Sequence, residues 1–191
     1  IFGPDLGSLK GKTTRRSPKA VAMARSGIPI EIMSRYKDVT LAIDVMRVNK
    51  IPFLVSISRH IKFGTADMLQ CQKATALLAG IKQIQAIYMG RGFTVTSVLM
   101  DGQFEPLHGE LAMLGMTLNT VSRGEHVPEA ERYIRTIKER TRSIYNMLPF
   151  TRLPARVVIE MVYASVFWLN TFPATGGVSA TLSPRHLLTG F

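Results

Sequence analysis

Two strand carboxylates stand where the surrounding pattern makes an acid costly, and a third lies at the start of a long helix. Asp44 interrupts the apolar run LAIDVMRV, Asp101 follows directly on TVTSVLM, and Glu131 falls in the first turns of the helical stretch AERYIRTIKERTRSI. An ionised carboxylate among apolar neighbours must be protonated, paired with Lys or Arg, or holding a cation. Three carboxylates meeting from separate elements would repel one another, and a divalent metal would resolve that repulsion. Each also has a plainer reading. Asp44 could face solvent from a half-exposed strand, since alternation sends Ile43 and Val45 to the opposite face. Asp101 followed by Gly102 is a turn signal. Glu131, like Glu129, could complement a helix dipole, and residues two apart on a helix diverge too far for both to serve one site.

The elements that must position these acids follow from periodicity. VTLAIDVMRV and IPFLVSIS, separated by the turn-like NK, predict two strands, with a short third around HIKFG. A helix is predicted from about Asp67 to Gly90, with Leu77, Leu78, Ile81, Ile84, Ile87 and Tyr88 at three-and-four spacing. TVTSVLM predicts a buried fourth strand, EPLHGELAMLG a short helix and MTLNTVS a short fifth strand. A long helix follows from Pro128 to about Leu148, and a last one from about Pro154 to Phe172. That order suggests an α/β fold with a mixed sheet flanked by helices. Phe167, Trp168 and the Met on the last helix are expected in the core.

Composition narrows the function classes. The 191 residues carry 24 Lys+Arg against 13 Asp+Glu, a formal charge of +11, which points to a polyanionic partner. No uncharged apolar segment reaches membrane-spanning length, and VVIEMVYASVFWL is interrupted by Glu160. A single cysteine, Cys71, rules out an intramolecular disulfide and a cysteine-rich zinc cluster, and His60, His108, His126 and His186 lack ligand spacing. Residues 1–38 read as a basic lead-in arm with eight Lys+Arg and three acids, and residues 39–191 as the core-forming domain. The start at Ile1 suggests a piece of a longer polypeptide. The arm cluster Lys10, Lys12, Arg15, Arg16 and Lys19 offers phosphate attraction without aromatic interleaving. On the long helix, Glu131, Arg135, Lys138 and Arg142 recur at spacings of four, three and four on one face. Such a row suits a DNA backbone, or is a solvated charged face.

Read in order, AIDVM, SRHIKFGTADML, LMDGQFE, AERYIRTIKERTRSI, PARVVIEMVYASVFWLNTFP and LSPRHLLTG resemble the integrase catalytic core of copia-type LTR retrotransposons, over about Leu41 to Gly190. The most specific pieces are Ala130, Glu131, Arg132, Arg135 and Thr136, then Leu169-Asn170, Phe172-Pro173 and Leu182-Ser183-Pro184. The resemblance implies an RNase H-like fold whose Asp-Asp-Glu set, here Asp44, Asp101 and Glu131, holds two Mg²⁺ or Mn²⁺ ions for phosphoryl transfer on DNA. Hard oxygen ligands suit Mg²⁺. It also implies double-stranded DNA partners (element ends and target), a homo-oligomer, a nuclear site of action and an origin in a Gag-Pol polyprotein. Two rival readings are a catalytically decayed RNase H-like domain that binds nucleic acid without turnover, and another RNase H-like nuclease, which would need a fourth acid beside the first strand.

Overall fold

The computed structural model of the chain describes residues 26–120 and 127–191. Lys10, Lys12, Arg15, Arg16, Lys19 and His126 lie outside the described residues. Strands β1 (Asp38–Val48) and β2 (Ile51–Ser58) form a hairpin whose two turn residues, Asn49 and Lys50, both have positive φ, 48° and 66°. That is the turn geometry whose twist matches paired strands. The third strand begins later than the sequence suggests. Arg59–Ile61 form the turn, Lys62 follows with φ 61°, and β3 runs Gly64–Met68. It therefore takes Asp67 and Met68, which pair with Leu54 and Phe53. The next helix, α2 (Ala74–Met89), starts correspondingly later than Asp67, close to where its apolar spacing begins at Leu77.

Helix α2 carries the chain back so that β4 (Thr94–Met100) lies parallel to β1, and β5 (Thr117–Thr120) lies parallel to β4. The resulting five-stranded mixed sheet has the order β3-β2-β1-β4-β5. Between β4 and β5 sit a 3₁₀ turn (Gly102–Leu107) and α3 (His108–Met113). Two helices absent from the sequence reading are α1 (Ile30–Tyr36) and the final α6 (Pro184–Thr189). The latter is capped by the Ser183 hydroxyl, which accepts from His186 N–H, and is ended by Gly190 at φ 82°.

Alternation splits the strands between two cores. Leu41, Ile43, Leu54, Val98 and Met100 pack against Leu77, Ile81, Ile84 and Tyr88 of α2, with Ile32 of α1 and Leu187 of α6. The other face sets Met46, Phe53, Val55 and Ala66 against Tyr133, Ile134 and Ile137 of α4 (Pro128–Met147) and Val162 and Val166 of α5 (Ala155–Thr171). The described end of the lead-in is tied to the core, Ser26 N–H donating to Gly190 O at 3.1 Å.

One expectation about α5 is corrected. Phe167 and Trp168 are exposed, not core. Trp168 stacks on Phe172, with ring centroids 6.1 Å apart, and the Arg185 guanidinium sits 4.6 Å over the Phe167 ring. Helix α5 instead buries Val158, Met161, Val162, Ser165, Val166 and Asn170. Phe167 and Trp168 fall on the arc its buried residues leave outward, whereas Tyr163 packs edge-on against Phe53.

Candidate active site

Asp44 sits on β1 between Ala42 and Met46, both of which face the α4 side of the sheet. It is half-buried, and its Oδ1 accepts from the Val45 N–H at 2.6 Å. Asp101 is the first residue beyond β4 and remains extended, φ −69° and ψ 158°. The last paired step of the β1–β4 register joins Ala42 with Leu99. Asp44 and Asp101 stand two residues further along, beyond the last paired step, and alternation from Ala42 turns Asp44 toward α4. The turn reading of Asp101 is borne out: its carbonyl accepts from Phe104 N–H at 3.0 Å, opening the 3₁₀ turn at Gly102, although its side chain makes no capping hydrogen bond.

Helix α4 is laid over these positions by Val127 and Ala130, which pack on Ala42 with Leu99 alongside. Glu131 follows Ala130 and is exposed. It lines one cavity of about 560 Å³ together with Asp44, Arg135, Lys138, Glu139 and Arg142. The four residues read as one helix face thus share one wall. Asp101 does not line that cavity. Glu129 points elsewhere, its carboxylate accepting from Arg59 Nε at 3.0 Å, so the two early acids of α4 serve different surroundings.

The donor chemistry of Asp44, Asp101 and Glu131 fits a hard divalent ion, and the strand placement of the two aspartates fits a shared site. The closure does not: among the described residues, no group of three or more His, Cys, Asp or Glu side chains is gathered to hold a metal ion. Acid and basic side chains meet in the cavity, and Asp44 and Glu131 both have interaction partners.

Sequence reasoning missed two further features. Arg47, exposed at the end of β1, lines the same cavity, and its guanidinium donates to Gln72 Oε1 at 2.7 Å. Its strand position alone, three beyond Asp44, predicts the opposite face, so pattern reading had no signal for it. The second is Asn170. It donates to Gly64 O at 2.7 Å and accepts from Gly64 N–H at 2.9 Å, clamping α5 to the edge strand β3. Its place in the Leu169-Asn170 motif marked it, but the partner lies 106 residues away.

No protein-family model matches the chain, and no curated protein matches it. Among solved structures, the chain is similar to the catalytic core domain of BIV integrase, with a TM-score of 0.52 and 19% sequence identity, covering 78% of this chain and 92% of that one. At this identity the likeness is one of fold.

Proposed function

We propose that this domain, which has the RNase H-like fold of an integrase catalytic core, acts on DNA by phosphoryl transfer, joining retroelement ends to target DNA. The observation that carries the reading is the parallel pairing of β1 with β4, paired as far as Ala42 and Leu99, two residues short of Asp44 and Asp101, beneath helix α4, which bears Glu131. Asp44, Asp101 and Glu131 are the residues that would hold Mg²⁺ or Mn²⁺, two ions by the resemblance. Divalent ions bound there would stabilise the charge developing on the attacking and leaving oxygens of a phosphodiester. The chain's own share is positioning. Arg135, Lys138 and Arg142, along the wall that also carries Glu131, would bind backbone phosphates and orient a duplex across the acids. The likeness to a retroviral core and the sequence motifs together support an integrase, and the motifs alone support the copia-type retrotransposon and polyprotein origin. A homo-oligomer and a nuclear site of action follow from the same reading. No helix among the described residues is long and apolar enough to cross a membrane.

The test is strand transfer with labelled duplex ends in Mg²⁺ or Mn²⁺, with the wild-type chain beside Asp101→Asn. The expected result is metal-dependent product from the wild type only. Equal product from both proteins overturns the assignment of Asp101.

A second reading, nucleic-acid binding without turnover, is favoured by one observation: the three acids are not gathered into a metal-holding group in the described conformation. It predicts duplex binding with no product from either protein.

A further inference from the structure

Beyond the acids, the α4 wall continues into a second and larger cavity, about 710 Å³, at the corner where α4 turns into α5. Arg47, Lys138 and Arg142 border both cavities, and Arg152 joins them only in the second. The two differ in character. The first contains Asp44, Glu131 and Glu139, whereas no acid among the described residues lines the second, and Leu153, Val158 and Met161 supply it with an apolar lining. Tyr145 also borders it. The ring is partly exposed, and its hydroxyl donates to Thr151 O at 2.9 Å, which ties the ring to the corner loop.

We infer that this corner cavity is a binding site for an unpaired nucleotide of a nucleic-acid strand, its base against Tyr145 and the apolar wall and its phosphates on Arg142 and Arg152. The volume lies within the roughly 300–1,000 Å³ of pockets that enclose small ligands. The chemistry excludes simpler occupants. Free phosphate would use the cations and leave the apolar wall wet, while a blunt duplex keeps its base faces stacked inside and offers the ring only phosphates, sugars and groove edges. An unpaired nucleotide uses both, and an aromatic platform beside a basic groove is how single strands are held without sequence readout. The inference rests on the reading of this domain as one that acts on nucleic acid, and it adds a preference for strand ends or gaps that expose a base.

The experiment is fluorescence anisotropy on the full 191-residue chain. The probes are a labelled thymidine oligonucleotide of about ten nucleotides and a blunt duplex of the same length, with inorganic phosphate as competitor. Tyr145→Leu removes the platform, Tyr145→Phe keeps the ring, and Arg152→Glu reverses the charge of an exposed side chain. Tyr145→Leu is expected to weaken single-strand binding about tenfold, with Tyr145→Phe close to wild type. Arg152→Glu is expected to weaken it as well, and all three should bind the blunt duplex nearly as the wild type does. Unchanged single-strand binding by Tyr145→Leu and Arg152→Glu overturns the inference. So does equal loss on both probes, or displacement of the oligonucleotide by phosphate with no effect of Tyr145→Leu. Strand-transfer activity is read separately: its absence counts against the catalytic reading and leaves the single-strand preference to stand or fall on its own data.

Discussion

At Gly64 the main chain of an edge strand is held by a side chain from a helix, and space is as tight as the bonding. A Cβ built on Gly64 would overlap the Tyr133 ring, whose hydroxyl is buried with no hydrogen-bond partner among the described residues. Burial raises the Tyr133 hydroxyl pKa, with the neighbouring Tyr88 adding to the effect. Gly64→Ala is therefore expected to destabilise by about 1–3 kcal/mol through overpacking, read by chemical denaturation. Asn170→Ala should cost roughly 2–4 kcal/mol by orphaning two main-chain groups of Gly64. Asp67, half-buried on β3, carries a carboxyl whose pKa burial raises above its ordinary 3.8. The sign follows directly: the native state holds the proton more tightly than the unfolded chain. The contribution of Asp67 to stability is thus fullest below about pH 3.8 and is lost as pH rises through the elevated native value. Asp67→Asn should raise the melting temperature at pH 7 and lose that advantage at pH 3.

Among the elements, α4 has the most to do. Its inner arc, Ala130, Tyr133, Ile134, Ile137 and Thr141, is buried against the sheet and α5, where Thr141 and Ser165 share a hydrogen bond at 3.2 Å. Its other arc carries the acid and the cations along the wall of the first cavity. Phosphate contacts from that row predict a salt signature. Replacing Arg135, Lys138 and Arg142 with Gln should flatten the plot of log affinity against log salt for duplex DNA by about 0.9 per lost contact. An unchanged slope would mean that the row is only a solvated face. Helix α5 has the complementary task. Asn170 and Tyr163, the latter accepting from Met68 N–H at 3.3 Å, satisfy outward main-chain groups of β3 that would otherwise be an open sheet edge.

For the whole molecule, the sheet order places β1, which carries Asp44, beside and parallel to β4, which Asp101 directly follows, with the covering helix crossing from above. If the three acids hold a divalent ion, folding and metal binding are linked. Mg²⁺ or Mn²⁺ at a hundredfold excess over its Kd should then stabilise the native chain by about 2.7 kcal/mol, and a chelator should remove the gain. Asp44→Asn with Asp101→Asn should abolish the metal effect while leaving the metal-free melting temperature close to wild type. A metal effect that persists in the double variant would place the ion elsewhere. This readout needs no turnover, so it separates metal binding from catalysis.

Local pattern carried much of this, because strand and helix periods are written in neighbouring residues. The β1, β2 and β4 strands, the two long helices and the one-faced row from Glu131 to Arg142 were legible that way, as was the segregation of Asp44 from Ile43 and Val45. Pairings between residues distant in sequence were not. The start of β3 depended on its register with β2, and the exposure of Trp168 depended on which arc of α5 met the sheet. The clamp of Asn170 on Gly64 joins residues 106 apart, and the cavity at the α4–α5 corner needs Arg47 from one end of β1 beside Arg152 from a loop. The sequence by itself determined which residues could do chemistry and the local elements that carry them. Only the tertiary structure decided that β1 runs parallel to β4 with Ala42 beside Leu99, because strand register is set by packing and hydrogen bonding across the sheet and is absent from either strand alone.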